Sequence, residues 1–477
     1  MINLSRRGFI AASAATLLSA SIPRLSFARE ARSLRAETRI LDIEGRAVTV
    51  FGLNGGKGIV LEPGERFQVA LTNALDVDTL IHWHGQIPPN EQDGVPDLPM
   101  PMLRPGETRN YDFAPAEGTH WMHAHIPLQE MNLLAAPLIV RSKKHTADDR
   151  QEVVMFLHDL SFKPPAEAMA EITGGVGGHR GHGAPAPAAG GMNHSMPGMD
   201  TAGSMQMDLN DYDWDAYLAN DRTLADPDVV AVEAGGRVLL RVINAAAATV
   251  FWIDLAGRNG RLVAVDGHAT SPVAGGRFGL AMGQRLDIEI DLPGSGAFPI
   301  FALREGAVER TGIILATPGA RIPMLSGVSE EKSPAFDVDL SQEAGLAALE
   351  PLAPRPAERT HMLTLGGTME PYLWTIDERR WGNHRPVAAW SGERVEIMFH
   401  NTSMMGHPMH LHGHTFQVVD INGRRINGAR RDTVYVPAMS MVTVALDAGE
   451  AARWMLHCHH MPHLETGMMT EFAVEQA

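Results

Sequence analysis

Four His-x-His pairs mark the chain: His82-Trp83-His84, His123-Ala124-His125, His410-Leu411-His412 and His457-Cys458-His459. Imidazole is a donor for copper, zinc, iron and nickel, so eight converging rings could hold more than one ion. The fourth pair encloses the only cysteine of the chain. On a strand, side chains alternate between faces, so His457 and His459 project together while Cys458 points the other way, towards a different ion. His407 precedes His410 by three residues, and His463 and Met468 follow Cys458 by five and ten. Two imidazoles, a thiolate and a weak thioether form the ligand set of a blue-copper electron-transfer centre. The imidazole-only set suits copper and leaves positions where dioxygen could bind between ions. A lone histidine is more often structural, and zinc also takes histidine and thiolate. However, zinc sites usually close with four ligands, which makes an all-zinc account of so many converging donors strained.

Something must carry the pairs to one place, and an internal repeat suggests what. Pro63-Gly64-Glu65-Arg66-Phe67 leads to Asn73, Ala234-Gly235-Gly236-Arg237-Val238 to Asn244, and Ser391-Gly392-Glu393-Arg394-Val395 to Asn401. In each segment the Asn follows the first Gly by nine residues, across a partly alternating run that predicts a half-buried strand. Nine residues beyond Asn73 and Asn401 stand His82 and His410, whereas Ile253 and Leu255 occupy the corresponding region of the middle copy. The pattern predicts a triplicated β-sandwich, with a metal cluster where the first and third copies meet. The expected units are residues 31–145, 146–318 and 360–477, with a connecting segment over 319–359. The chain is 477 residues long, enough for about three domains.

Residues 1–28, with Ser5-Arg6-Arg7-Gly8-Phe9 before a short apolar run and Ser26-Phe27-Ala28, have the form of a twin-arginine export signal. That run is too short to span a bilayer, so no membrane anchor is expected. One cysteine cannot form an intramolecular bridge despite export. A formal charge of −16 disfavours nucleic acid as a partner. Residues 174–207, rich in Gly, Ala, Pro, His and Met, read as a mobile loop inside the second unit. Met192, Met196, Met199, Met205 and Met207 lie in it, with His179, His182 and His194, and soft thioethers select Cu(I).

These motifs, with His82-Trp83-His84-Gly85, Trp121-Met122-His123-Ala124-His125, His407 to Gly413 and His457 to Met468, resemble those of the multicopper oxidases. That family includes laccases and bacterial cuprous oxidases. The resemblance implies an all-β chain of three cupredoxin-like Greek-key β-sandwich domains and four copper ions. It implies a type 1 copper on His407, Cys458 and His463 with Met468 axial, and a type 2 copper on His82 and His410. It further implies a type 3 pair on His84, His123, His125, His412, His457 and His459, and a proton-handling role for Asp93. Some relatives place an acid directly after the second type 1 histidine; here Leu464 stands there, with Glu465 one place later. Met405, next to Met404, matches a cuprous-ion position in bacterial relatives, although Ser403 replaces their acidic partner. The expected reaction is one-electron oxidation of Cu(I), and of phenols or diamines, coupled to reduction of dioxygen to water in the periplasm. A broad laccase acting on aromatic donors and a non-catalytic copper-binding protein are the alternatives.

Overall fold

The structure, a computed structural model, describes residues 31–174 and 209–477. The expected export segment lies outside the described residues, as does most of the Met/His-rich segment, including Met192, Met196 and Met199.

The strands form six sheets that fall into three pairs along the chain. One topology recurs in each pair. The opening strand runs parallel to the strand that follows the glycine turn: Arg32–Ile43 with Phe67–Asn73, Gln151–Leu160 with Arg237–Asn244, and Arg359–Met369 with Arg394–Asn401. In the facing sheets a second parallel pair recurs, joining Ile59–Leu61 to Ala135–Val140, Asp228–Ala231 to Arg310–Ala316, and Val387–Trp390 to Met469–Glu475. All three units are therefore β-sandwiches with the same strand plan, as the all-β reading expected.

The repeated glycine and asparagine explain each other. Gly64, Gly235 and Gly392 have φ of 78°, 68° and 84°, a left-handed conformation that glycine adopts without steric cost. The turn launches a strand whose alternate residues are buried, as in Phe67, Val69, Leu71 and Asn73. At its end the asparagine closes the next loop. Asn73 Nδ2 donates to the carbonyls of Val77 and Leu103, Asn244 Nδ2 to those of Thr249 and Leu280, and Asn401 Nδ2 to those of Met405, Val436 and Pro437. In each copy the asparagine Oδ1 also accepts the backbone N–H two residues on.

That loop delivers the chain to the strand that bears the first histidine. His82 stands opposite His123 in the first unit, and His410 opposite His457 in the third. The equivalent cross-strand pair in the middle unit is Ile253 and Ala302, so the same geometry there is filled with hydrocarbon. Between the second and third sandwiches, residues 317–358 run irregularly apart from the helix Ser341–Ala344. This stretch is anchored by buried Phe336, Leu340 and Leu346, and by Glu343 paired with Arg431. Among the described residues no helix is long and apolar enough to cross a membrane.

Candidate metal centre

The histidines meet where the first and third sandwiches touch. The strand Ile81–His84 ends on the second histidine of its pair, whereas Gly118–Ala124, His407–Leu411 and Arg453–Cys458 each end one residue before theirs. The sequence reading placed both members of every pair on a strand. Three pairs straddle a strand end instead, because the backbone must bend there to wrap the rings around one centre. The rings still lie on one side: His82 and His84 are 5.8 Å apart between centroids, and His410 and His412 are 4.8 Å apart.

Among the groups that result, with ligand atoms within 4.8 Å of one another, are His82, His84 and His410; His84, His123 and His459; and His125, His412 and His457. Each of these draws on both units, and every ring is buried.

Outer hydrogen bonds decide which ring nitrogen faces inward. A carbonyl oxygen only accepts, so a ring nitrogen beside one carries the proton. His82 Nδ1 donates to the Asp93 carbonyl at 2.8 Å, His410 Nδ1 to the Asp432 carbonyl at 2.9 Å, and His457 Nδ1 to the Cys458 carbonyl at 3.0 Å. His412 Nδ1 donates to Asp93 Oδ2 at 2.8 Å. Each inner Nε2 is therefore a bare lone pair. Yet His82 and His410 face each other Nε2 to Nε2 at 3.4 Å, His412 and His457 at 3.1 Å, and His125 and His457 at 3.3 Å. His84 is reversed: its Nε2 lies 3.1 Å from both Asp432 Oδ1 and Thr433 Oγ1, and its Nδ1 has no hydrogen-bond partner. His123 Nε2 and His459 Nε2 are likewise unpartnered. Lone pairs converging without protons need cations between them, and the donor set suits copper.

Electrostatics agree. Burial, reinforced by neighbouring imidazoles, holds His84, His123, His125, His412, His457 and His459 well below the ordinary histidine range, in the neutral form that binds metal. Burial alone would raise Asp432, but the charge and hydrogen bonds of Arg285, with those of His410 and His84, hold its carboxyl well below the usual range. Arg285, from the middle unit, pairs with both Asp432 oxygens and donates to the Thr119 carbonyl of the first unit at 3.1 Å.

The cysteine serves the other centre. His407 Nδ1 and His463 Nδ1 are 3.1 Å apart, and Cys458 Sγ lies 3.7 and 3.6 Å from them. His407 Nε2 bonds Ser403 Oγ at 2.8 Å, which turns Nδ1 towards the sulfur. Met468 is fully buried, and its backbone bonds both Cys458 and His463. Burial pushes the Cys458 thiol far above its ordinary range, so a cation must displace the proton for the sulfur to ligate. Trp374 stacks on His463 at 4.0 Å, and Asp211 Oδ2 lies 3.5 Å from His463 Nε2 while accepting the Tyr372 hydroxyl.

Asp93 touches two histidines of these groups, accepting from His412 Nδ1 on its carboxylate and from His82 Nδ1 on its carbonyl. Met404 is half-buried; Met405 is buried, its carbonyl held by Asn401. Glu465 is exposed and belongs to neither group. Sequence reasoning did not find Asp432, Asp211 or Glu130. Asp432 and Asp211 reach the histidines only through the fold, but Glu130, five residues after His125, could have been suspected.

Three cupredoxin-like sandwiches, with a thiolate centre beside an imidazole cluster, define a copper oxidoreductase. Multicopper oxidase family models match residues 36–145, 187–317 and 354–477, and the chain belongs to that family. It is an enzyme with copper as cofactor and dioxygen as electron acceptor. The multicopper oxidase MmcO of Mycobacterium tuberculosis is 32% identical over 419 residues, covering 85% of this chain and 79% of that one. Copper resistance protein A of Escherichia coli is 25% identical over 612 aligned positions, covering all of both chains. Among solved structures, Fet3p, a multicopper oxidase that functions in iron import, superposes with a TM-score of 0.74 at 17% identity, covering 93% of this chain and 90% of that one.

Proposed function

We propose that the protein is a periplasmic cuprous oxidase, exported by the twin-arginine route, that also oxidises phenols and diamines. His407, Cys458, His463 and Met468 would hold a type 1 copper, and His82 and His410 a type 2 copper. A type 3 pair would be held by His84, His123 and His459 and by His125, His412 and His457. The observation that carries this reading is the inward convergence of unprotonated ring nitrogens from two units. When bound, copper supplies one-electron oxidation at the thiolate centre and reduction of dioxygen to water at the cluster.

The chain's own residues do the rest. Cys458 is covalently continuous with His457 and His459, so one peptide segment joins the two centres. Asp93 keeps a proton on His412 Nδ1 and, through its carbonyl, one on His82 Nδ1. Its Oδ1 is buried without a hydrogen-bond partner, which supports a place for it in proton delivery. Trp374 covers His463 and excludes water from the thiolate centre. Met404 and Met405 before His407, with Met192, Met196 and Met199, supply soft donors for incoming Cu(I). The full-length match to copper resistance protein A supports a role in copper tolerance.

Oxygen uptake by fully loaded protein tests the reading. The expectation is about four coppers per chain and faster turnover with Cu(I) than with a phenol. Faster phenol oxidation would favour a laccase, and copper binding without sustained uptake would leave a sequestering protein. Removing residues 174–207 should slow cuprous oxidation more than oxidation of a bulky organic donor; equal slowing would argue against recruitment by that segment.

A further inference from the structure

We propose that Glu130 is the positioning residue of the His84, His123 and His459 group, one carboxylate that orients a histidine from each of the two units. The inference rests on the reading that this group holds a copper ion. Glu130 closes the helical turn Pro127–Glu130 and is buried. Its Oε2 lies 2.7 Å from His123 Nδ1, and its Oε1 lies 3.9 Å from His459 Nδ1. The Ala124 carbonyl, 3.1 Å from the same His123 nitrogen, requires that nitrogen to carry the proton and leaves Nε2 as the ligand atom.

The second half of the bridge stands open. Glu130 Oε1 and His459 Nδ1 are both buried, and neither has a hydrogen-bond partner. Leaving two such groups unpaired is costly, and a shift of about 1 Å would join them in a normal hydrogen bond. The charge also needs an answer. Among the described residues the ion-pair partners of Glu130 are those two histidines, with no lysine or arginine. A buried carboxylate is stable only when compensated, and here compensation comes through the rings, from a cation on their inner nitrogens. Carboxylate, imidazole and metal in series raise the basicity of the ligand and fix its orientation. Because His123 and His459 come from different sandwiches, one side chain sets both halves of the group.

Loaded wild-type protein, Glu130→Gln and Gln129→Leu are dialysed against graded chelator. Bound copper, the visible absorption of the thiolate centre and the cupric spin count are followed. Gln keeps the size and an oxygen for His123 but turns an amide donor towards His459. In Glu130→Gln one copper should leave about 10–100-fold more readily, with the visible absorption unchanged. The spin count should rise by one, because a coupled cupric pair is magnetically silent and its surviving member is not. Gln129→Leu disturbs the same turn, where Gln129 bonds Thr79 and Asp78 and no histidine, and should retain copper as wild type does. Retention of every copper by Glu130→Gln at wild-type chelator levels would overturn the proposal. So would loss of the same copper from Gln129→Leu, or uniform loss together with the visible absorption. Fewer than four coppers in wild-type protein would instead sink the four-copper reading itself.

Discussion

Single atoms set the chemistry of both centres. Cys458 offers the only thiolate, so Cys458→Ser should abolish the visible charge-transfer band and nearly all oxygen consumption while the far-ultraviolet circular dichroism stays unchanged. A variant that kept its colour would mean the sulfur is not a ligand. Asp93→Asn retains an acceptor for His412 Nδ1 but loses the anionic oxygen, so oxygen consumption should fall about 10–100-fold with the colour preserved. The histidines and the cysteine that the fold brings together could be read from sequence because they come in fixed spacings along strands and just past strand ends. Their orienting partners could not. Asp432 meets His84 across 348 residues of chain, and Asp211 meets His463 from the middle unit; no local pattern encodes either contact.

At the level of elements, the recurring Asn closes the same loop in all three units, whereas the histidine pairs occur in two. Asn401→Ala would strand the carbonyls of Met405, Val436 and Pro437, with a cost of about 1–3 kcal/mol for the unsatisfied groups. It should also loosen Ser403, and so His407, broadening the visible band. Asn244→Ala should lower stability similarly in denaturant titration but leave the spectrum untouched, since its loop carries no ligand. Equal spectral effects from the two variants would detach the loop from the metal site. The three-unit plan was readable because each copy needs a glycine in the turn that opens one strand and an asparagine to close the loop at its end. The grouping of the rings was less legible: His123 and His125, His410 and His412, and His457 and His459 fall into different groups because a strand ends between them, whereas His82 and His84 share one.

Across the whole molecule, buried charge holds the three sandwiches in register. Arg285 of the middle unit joins Asp432 of the third and Thr119 of the first, so Arg285→Met should destabilise the chain by about 3–5 kcal/mol, measurable as a lower unfolding midpoint. Acid should act on the same body. Burial holds His158 and His268 at about 4, and burial with the nearby Arg285 holds His120 at about 3. These values lie below the ordinary histidine range, so below about pH 6.5 the unfolded chain binds more protons than the native one. Stability of copper-free protein should therefore fall as pH drops from about 6.5 towards 4; a midpoint that is flat across this window would contradict the burial of these rings. The interleaving of first-unit and third-unit imidazoles also has a consequence for biosynthesis. After His82 a ribosome must add 328 residues to complete its partner His410. A nascent chain that has emerged only through its first sandwich therefore presents half-sites, with too few donors to retain an ion. Tight metal capture then reports that translation and docking are complete, and a truncated product leaves with nothing bound.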